Sequence, residues 1–456
     1  MDETTTVIPT SGRFTAVGGP GRVLSREEIA AFVNEQLAAV DLDGRSLCVL
    51  VPDATRSCPL PLLLSAIHRA VHGRVTRLTV LVALGTHPEM TDSALATHLG
   101  YQDGHLAERY PGTTVLNHRW WDPTTFVDLG TIPADRLAEL SNGMLRQQVD
   151  VRINRAVAEH DLTLIVGPVF PHEVVGFSGG NKYLYPGVSG RQLIDVSHWL
   201  GALITSAEII GRRGTTPVRM LIDEAASMVP KERLALCLVT RSGKAVTEPE
   251  EINPPDGKQT GTDVPPAHAP AVDLHAMTFG EPKAAWAAAA DVSAETHVRY
   301  LDTPIRRVLC LLPQRYDDMW TGAKGFYKVE PVVADGGQVI IYAPHITEFS
   351  LTHPAIAEIG YHCRDYYVKQ WDQFKSYHWG DLAHSTHLRG AGTWDEVHGE
   401  NDRVTVTLAT GIPEAQVRAA NLDYLDPAAV AEAAWATDSG TLVVPDAGED
   451  LFRLRG

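Results

Sequence analysis

Short apolar runs alternate with amphipathic segments along the first half of the sequence. The runs 47–51, 78–84 and 162–166 are each bounded by polar residues, a pattern typical of buried strands. Ahead of them, Ser25 is followed three residues later by Glu28 and then by an apolar stripe at helical spacing, which predicts a capped helix. Strands that alternate with helices in this way predict an α/β fold built on parallel, doubly wound sheets.

A proline-rich stretch at about 246–270 interrupts this alternation. Its prolines, glycines and acidic residues are typical of an exposed linker, or of a long hairpin inserted in the preceding domain. Beyond it, the alanine-rich segment 282–291 predicts a helix, and apolar runs resume at 308–312. We therefore expect two α/β domains with parallel-rich sheets, the first of which includes the insertion: residues 1–280 and 281–456.

The composition narrows the class of protein. Of 456 residues, 44% are hydrophobic and 21% are charged, values that belong to folded globular proteins and exclude collagens and disordered chains. The net charge of −17, with no basic patch, argues against a nucleic-acid partner. Five scattered cysteines without a C-x-x-C motif argue against a disulfide framework and a zinc ribbon. Since the first residues are polar and no long apolar stretch follows, we expect a cytoplasmic protein without a membrane partner.

Several predicted strands lead directly into polar residues. Asp53, Thr55 and Arg56 follow the first strand, His87 follows the second, and His172 comes shortly after the third. In open α/β sheets, ligands bind beyond the carboxyl ends of the strands, so we expect these side chains to converge on one cleft. For each residue taken alone, the ordinary polarity of loops is the alternative explanation.

The densest motif follows His172 and contains five glycines between Gly176 and Gly190. Glycine lets the backbone approach a ligand closely, so the motif predicts a loop that wraps around a ligand. Lys182 within it is placed either for covalent chemistry, as a partly desolvated amine, or for binding an anion. The spacing fits neither a P-loop nor a Rossmann fingerprint, and Ser178 matches a G-x-S-x-G nucleophile elbow in letters only.

Together these motifs resemble those of one family, the nickel-pincer-nucleotide lactate racemases and their relatives that act on other 2-hydroxy acids. The resemblance covers roughly residues 45–345. Members of the family have two α/β domains with the active site in a cleft between them, which agrees with the boundary expected above. The resemblance rests on Asp53-x-Thr55-Arg56, Gly85-Thr86-His87, the segment from His172 to Lys182, Pro186-Gly187, His198 and Lys324.

The resemblance implies a covalently bound cofactor, the nickel-pincer nucleotide pyridinium-3,5-bisthiocarboxylic acid mononucleotide. Lys182 would tether it through a thioamide, and His198 would complete the coordination of nickel. The implied partners are a small 2-hydroxy acid and the enzymes that synthesise the cofactor, whereas the oligomeric state stays open. By the same resemblance the cofactor would be held by Asp53, Thr55, Arg56, Gly179, Gly180 and Trp320.

The resemblance also implies an isomerase that works by hydride transfer. The hydroxyl of the substrate loses its proton while the hydrogen on C2 leaves as hydride to the pincer, giving a 2-keto acid that can take hydride back on either face. His87 and His172 would be the two bases, one for each enantiomer, since imidazole takes and returns a proton near neutral pH. Arg56 and Lys324 would bind the substrate carboxylate, and Lys324 would also polarise the hydroxyl oxygen.

Two departures from the lactate type bear on the substrate. Lactate-type members carry a glutamine three residues before the lysine, where this sequence has Thr321 after Trp320, and a smaller residue there predicts room for a larger substrate. The segment 361–389 is rich in hydrogen-bonding side chains, which would suit the hydroxyl groups of a sugar acid if they line the pocket. The alternative is that the segment lies at the domain surface or at a subunit contact. We therefore expect a sugar-acid (aldonate) 2-epimerase, with a racemase of lactate, malate or another small 2-hydroxy acid as the alternative.

Two more distant alternatives stay open. His384 and His387 form an H-x-x-H pair, which is a weak signal because it lacks the glutamate of the H-E-x-x-H motif. The pair is a remote indication of a metal-dependent hydrolase. A non-catalytic binding protein on the same fold is the other alternative.

Overall fold

Two parallel-rich sheets organise the protein in this computed structural model, which describes residues 14–242, 272–435, 437–438 and 440–455. The strands of these residues, in chain order, are β1 (Phe14–Gly18), β2 (Ser46–Pro52), β3 (Arg77–Ala83), β4 (Thr113–Asn117), β5 (Phe126–Ile132), β6 (Val149–Asn154), β7 (Leu162–Pro168), β8 (Pro171–His172), β9 (Gly176–Phe177), β10 (Glu232–Ser242), β11 (Val272–Gly280), β12 (Val298–Leu301), β13 (Ile305–Leu311), β14 (Val333–Ala343), β15 (Gly392–Asp395), β16 (Gly399–Asp402), β17 (Val404–Thr410), β18 (Asp423–Tyr424), β19 (Thr441–Val444) and β20 (Leu451–Leu454). The α-helices are α1 (Arg26–Ala38), α2 (Leu60–Val71), α3 (Asp92–Leu99), α4 (Leu106–Arg109), α5 (Ala134–Leu140), α6 (Arg155–Glu159), α7 (Arg191–Ile204), α8 (Ser206–Ile209), α9 (Pro217–Ser227), α10 (Pro282–His297), α11 (Met319–Gly322), α12 (Lys324–Tyr327), α13 (Ala355–Ile359), α14 (Arg364–Lys369), α15 (Trp371–Phe374), α16 (Trp379–Arg389), α17 (Glu414–Ala419) and α18 (Glu432–Trp435). Short 3-10 helices cover Pro123–Thr125, Gly180–Tyr183, Glu330–Val332 and Pro427–Ala429.

The first sheet has the strand order β1-β11-β10-β7-β2-β3-β4. Pairing is parallel from β10 across to β4 and antiparallel at β11 and β1. Every residue of β2 and β7 is buried, because hydrophobic clusters lie on both faces of the sheet, and this explains the unbroken apolar sequences of these strands. The three strands predicted from apolar runs are confirmed, with ends that differ by at most two residues.

The predicted cap of the first helix is also confirmed. The Ser25 hydroxyl accepts a hydrogen bond from the backbone N–H of Glu28, and the Glu28 carboxylate accepts one from the backbone N–H of Ser25. The apolar stripe of α1 then packs into the cluster on one face of the first sheet. The capping motif in the sequence and the packing of α1 against the first sheet therefore agree.

The second sheet has the order β18-β17-β14-β13-β19, and all of its pairs are parallel. α10 precedes this sheet in the chain but packs on the first one, where Ala285, Trp286 and Ala289 belong to the core beside β10 and β11. The helix also runs to His297, beyond its predicted end at 291. The chain therefore passes from the first sheet to the second after α10, whose apolar face completes the first core, and the division into two domains at residue 280 stays a prediction.

The fold class expected from the sequence, α/β with parallel-rich sheets, is confirmed. The proline-rich stretch at about 246–270 lies outside the described residues, so its interpretation as a linker or an insertion stays a prediction. All five cysteines are free, as expected of a chain without a disulfide framework. No helix in the described part of the chain is both long and apolar enough to cross a membrane.

Candidate active site

A cleft of about 1050 Å³ lies where loops of the first sheet face helices of the second. The side chains expected to converge from separate strand ends, Asp53, Arg56, His87 and His172, all line it. We call the side formed by the loops after β2, β3 and β7 and by α7 the N-terminal wall, with Asp53, Arg56, His87, His172, Lys182 and His198. The C-terminal wall is formed by α11, α12 and α16, with Trp320, Lys324, Tyr327, His384 and His387.

Asp53 holds His87 in place on the N-terminal wall. Its carboxylate contacts Nδ1 of His87 and also accepts hydrogen bonds from the backbone N–H and the hydroxyl of Thr55, the latter at 2.6 Å. Burial acts to raise the pKa of Asp53, but His87, Arg56 and the Thr55 hydroxyl outweigh it and hold that pKa below its usual value. Since Nδ1 is engaged, Nε2 is the ring nitrogen of His87 available for proton transfer.

His172 lies at the end of β8 and is buried. Its Nδ1 accepts a hydrogen bond from the backbone N–H of Val174 at 3.2 Å, and Oε2 of Glu173 lies 3.1 Å from the same nitrogen. Burial lowers the pKa of His172 well below its usual value, and the charges of Lys182 and Arg56 lower it further. A neutral imidazole of this kind can accept a proton, so His172 has the protonation state that a base requires.

Lys182 lies in the 3-10 turn Gly180–Tyr183 and lines the cleft. The preceding Gly179 has a φ of +86°, and a Cβ added there would come within 2.4 Å of Val169 Cγ2, so this position requires glycine. Burial lowers the pKa of Lys182 to about 7, with a further contribution from the charge of Arg56. No hydrogen bond or ion pair to its amine occurs within the described ranges. Such an amine is nucleophilic near neutral pH and fits a covalent attachment.

His198 on α7 has the state of a metal ligand. Its Nδ1 donates a hydrogen bond to the Ile194 carbonyl oxygen at 2.7 Å, which leaves the lone pair of Nε2 free. Burial lowers the pKa of His198 to about 4, so the ring is neutral over the whole physiological range. Together with the unpaired amine of Lys182, this ring fits a cofactor that carries a metal and is held through a lysine.

The C-terminal wall is built around Trp320. Its indole is stacked between the rings of His353 and His384, whose centroids lie 3.9 and 4.0 Å away. Lys324 donates a hydrogen bond to the Thr321 carbonyl at 3.2 Å. Burial and the charge of Arg56 lower the pKa of Lys324 to about 8, so its ammonium is still mostly charged at neutral pH and suits an anionic ligand.

A second cavity of about 770 Å³ adjoins the cleft. The two share Thr86, His198 and Trp320, so the second cavity opens on the same side of the site. It extends past Trp120 and Arg191 and therefore offers space next to the cleft for a ligand with a longer chain.

Residues 28–210 match the family model of the lactate racemase N-terminal domain, and this range contains every residue of the N-terminal wall. Over these residues the chain is similar to the lactate racemases. The lactate racemase of Lactiplantibacillus plantarum is 26% identical over 167 residues, and that of Thermoanaerobacterium thermosaccharolyticum is 28% identical over 158 residues. These matches cover 36% and 34% of this chain but only 35% and 32% of the two relatives, about a third of their length.

Two solved structures are similar in fold to almost the whole of this chain. A crystal structure of a protein from Thermotoga maritima has a TM-score of 0.82 at 28% identity and covers 96% of this chain and 100% of its own. The lactate racemase apoprotein from Thermoanaerobacterium thermosaccharolyticum has a TM-score of 0.65 at 17% identity, with 94% and 93% covered. The likeness in fold therefore includes both sheets and both walls of the cleft.

Most of the site residues predicted for a lactate racemase relative line the cleft, and two lie behind it. Thr55 bonds to Asp53 from behind, and Gly180 packs against Trp286, where an added Cβ would come within 2.9 Å. Glu173 and Tyr327 also line the cleft and were missed. Glu173 follows His172 directly in the glycine-rich motif, which is the one sequence signal that could have identified it.

Thr321 lies at the first turn of α11. Its hydroxyl donates to the carboxylate of Asp318 at 2.9 Å, because Asp318 caps the N-terminus of α11. Thr321 is not among the residues that line the cleft, and the room for a larger substrate at this position stays a prediction. The second cavity offers further space beside the cleft.

His384 and His387 of α16 line the cleft, but no further side chain of the described residues is placed with them to bind the metal ion of a hydrolase. Across the described parts of the chain, no three histidine, cysteine, aspartate or glutamate side chains are placed to bind a metal ion. His384 and His387 are both buried cleft residues, whereas Tyr361 and Tyr367 of the same polar segment are core residues. The segment 361–389 therefore contributes partly to the site and partly to packing.

Proposed function

We propose that this chain is a member of the lactate racemase family, an isomerase that inverts the hydroxyl-bearing C2 of a 2-hydroxy acid, with an aldonate as its substrate. The observation that carries the proposal is the convergence of two histidines, two lysines and an arginine in one cleft. Because the sequence match spans about a third of each lactate racemase, the activity rests on this convergence as well as on the family. The residues concerned are His87, His172, Lys182, Lys324 and Arg56.

Arg56 and Lys324 bind the substrate carboxylate in this proposal. They come from opposite walls, and each influences the pKa of the other side chains in the cleft as a nearby positive charge. The guanidinium of Arg56 offers two parallel N–H groups to a carboxylate, and the Lys324 ammonium adds a point charge. A carboxylate held from both walls places C2 of the substrate inside the cleft.

The nickel-pincer nucleotide, covalently attached to Lys182, is the cofactor we propose. His198 serves as the protein ligand to nickel through Nε2, and Asp53, Arg56, Gly179 and Trp320 line the space around it. When bound, this group supplies a hydride acceptor and donor for the hydrogen on C2. The hydride route suits C2 because it avoids a carbanion at a carbon that carries a hydroxyl.

His87 and His172 move the proton of the substrate hydroxyl. One imidazole takes this proton as the C2–H bond breaks, which leaves a 2-keto acid, and a proton returns to the oxygen when C2 regains its hydrogen on the opposite face. His87 is oriented by Asp53, and His172 by the backbone of Val174. Two bases on separate loops serve the two enantiomers of the substrate.

The size and polarity of the site favour an aldonate over a smaller acid. The cavity that adjoins the cleft gives room for a ligand with a longer carbon chain than lactate. Arg191, Asp195 and His378 line the adjoining cavity and offer polar partners to hydroxyl groups. Malate, lactate or another small 2-hydroxy acid is the alternative substrate, with the same chemistry.

The decisive experiment measures the intact mass and nickel content of the protein after coexpression with the cofactor-synthesis enzymes. We expect a mass increase that maps to Lys182 and about one nickel per chain, and epimerisation at C2 of aldonates by this loaded protein. A lactate racemase carried through the same preparation is the positive control. If the control loads while this chain stays unmodified and free of nickel, the proposal is wrong. If the loaded protein racemises lactate or malate but no aldonate, the alternative substrate class holds.

A further inference from the structure

His387 on α16 is a polar side chain without a partner in the cleft. Its relative exposure is 4%, and neither ring nitrogen forms a hydrogen bond with any described residue. The other histidine of this helix, His384, is stacked on Trp320, and its Nε2 lies 3.4 Å from the Tyr361 hydroxyl. The two histidines therefore differ: His384 is held by the protein, and His387 is not.

A buried imidazole with two free nitrogens is destabilising unless something pairs with it. Burial lowers the pKa of His387 to about 4 although the nearby Glu173 acts to raise it, so the ring is neutral at physiological pH. A neutral imidazole offers one donor and one acceptor. A hydroxyl group also offers one of each, so the two are matched in hydrogen-bonding character.

The surroundings of His387 favour a neutral ligand group over an anion. Glu173 is buried in the same part of the cleft, where burial acts to raise its pKa, and the ammonium of Lys324 is among the neighbours that hold this pKa below its usual value. A second carboxylate placed there would be repelled by the Glu173 carboxylate. The substrate carboxylate is instead accounted for by Arg56 and Lys324.

We propose that His387 binds the hydroxyl on C3 of the substrate and thereby selects polyhydroxylated acids over simple 2-hydroxy acids. This inference rests on the proposed function and assigns a specificity-determining residue that lies outside the matched range 28–210. A site that buries a hydrogen-bonding group discriminates strongly against an analogue that lacks the matching hydroxyl, because the protein group is then left unpaired.

D-Glycerate and D-lactate test this role, since they differ only by the hydroxyl on C3. With the loaded enzyme, we expect kcat/KM for D-glycerate to exceed that for D-lactate by about 100-fold or more. His387→Leu removes both ring nitrogens and should reduce this ratio to within about tenfold, mainly by lowering the rate with glycerate. His387→Gln, which keeps one donor and one acceptor, should retain part of the preference.

Thr386→Val is the matched control. Thr386 neighbours His387 on α16, is buried, and donates its hydroxyl to the Ala383 carbonyl within the helix. The variant tests whether a change in α16 alone alters the ratio, and we expect the ratio to stay at the wild-type value. A similar fall in Thr386→Val and His387→Leu would overturn the proposal.

Two further readouts separate the possible failures. If His387→Leu loses the covalent mass on Lys182, or slows glycerate and lactate equally, the residue serves the cofactor or the fold and the inference is wrong. Calorimetric titration of the unloaded chain with D-gluconate gives a readout independent of turnover, and His387→Leu should weaken this binding at least tenfold. If loaded wild-type enzyme turns over no 2-hydroxy acid while this weakening is seen, the proposed function fails and the assignment of His387 as a hydroxyl-binding residue stands.

Discussion

The two walls of the cleft differ in how their polar side chains are held. On the N-terminal wall, Asp53 is bonded to His87 and Thr55, and His198 is fixed by the Ile194 carbonyl. On the C-terminal wall, His387 has no partner among the described residues. The histidines of the N-terminal wall are therefore preorganised for one chemistry, whereas His387 is completed by its ligand.

The match to the lactate racemase N-terminal domain also separates the two walls of the cleft. The lactate racemase N-terminal domain spans residues 28–210, and so includes the N-terminal wall and none of the C-terminal wall. In our proposal the first wall carries the reaction, and the second binds the shared carboxylate through Lys324 and selects the substrate through His387. Substitutions in the first wall should therefore affect every 2-hydroxy acid alike, and those at His387 should change the ratio between acids.

The largest effect expected of the N-terminal wall comes from Lys182→Met. Methionine has a similar volume but no amine, so the protein should show neither the covalent mass nor retained nickel, and activity should fall by about 10⁴-fold or more with all substrates. Intact mass and nickel analysis after coexpression measure the change. Lys375→Met, at a half-exposed surface ion pair with Asp372, should load like wild type. Full loading of Lys182→Met would show that the cofactor is not attached through Lys182.

Asp53→Asn should have the next largest effect. The amide keeps the size of the side chain but loses the charge that orients His87, so kcat should fall by about 10²- to 10³-fold for glycerate and for lactate. The mass increase on Lys182 should remain. Asp372→Asn, at a side chain that is 93% exposed, should leave kcat unchanged. A fall limited to one of the two acids would contradict the assignment of Asp53 to the chemistry.

The N-terminal wall could be predicted from the sequence because its signals are local. The apolar runs end where the strands β2, β3 and β7 end, and the residues that follow meet at one edge of the sheet. Gly179 likewise marks a backbone with positive φ, which the sequence shows directly. Even here, local spacing could not show that Thr55 and Gly180 lie behind the cleft, since that depends on side-chain packing.

The C-terminal wall could be predicted only in part because its geometry is tertiary. The stacking of Trp320 between His353 and His384 joins segments more than 30 residues apart, and no periodicity records it. The bond of the Thr321 hydroxyl to the Asp318 cap of α11 is another contact that composition does not show. The sequence also could not show to which sheet α10 belongs, because this depends on where the apolar face of the helix packs.

The dependence of the free energy of unfolding on acid pH is a smaller effect, and it tests the unpaired His387 independently of activity. Burial lowers the pKa of four histidines to about 4, whereas unfolded histidine titrates near pH 6.5. The unfolded chain then binds more protons between these values, so stability should fall as the pH drops from about 6.5 toward 4. The four residues are His118, His198, His297 and His387.

His387→Leu should remove its part of this dependence, about 2 kcal/mol between pH 7 and pH 5. Urea denaturation of the unloaded chain at the two pH values measures the difference in the free energy of unfolding. Val397→Ala, at a residue that is 84% exposed and carries no ionisable group, is the control and should leave the pH dependence as in wild type. An unchanged dependence in His387→Leu would show that this ring is not buried in its neutral form.

Trp320→Ala should give the smallest effect and the clearest contrast with the N-terminal wall. Removing the indole frees the rings of His353 and His384 from their stack, so the C-terminal wall loses order while the paired groups of the opposite wall stay in place. We expect KM for an aldonate to rise about tenfold with a smaller change in kcat, and Trp320→Phe to recover most of it because a ring is restored. Steady-state kinetics and the mass on Lys182 are measured together. A loss of covalent loading in Trp320→Ala would show that the indole is required to attach the cofactor and does not only line the space around it, and the division of labour between the two walls would then fail at this residue.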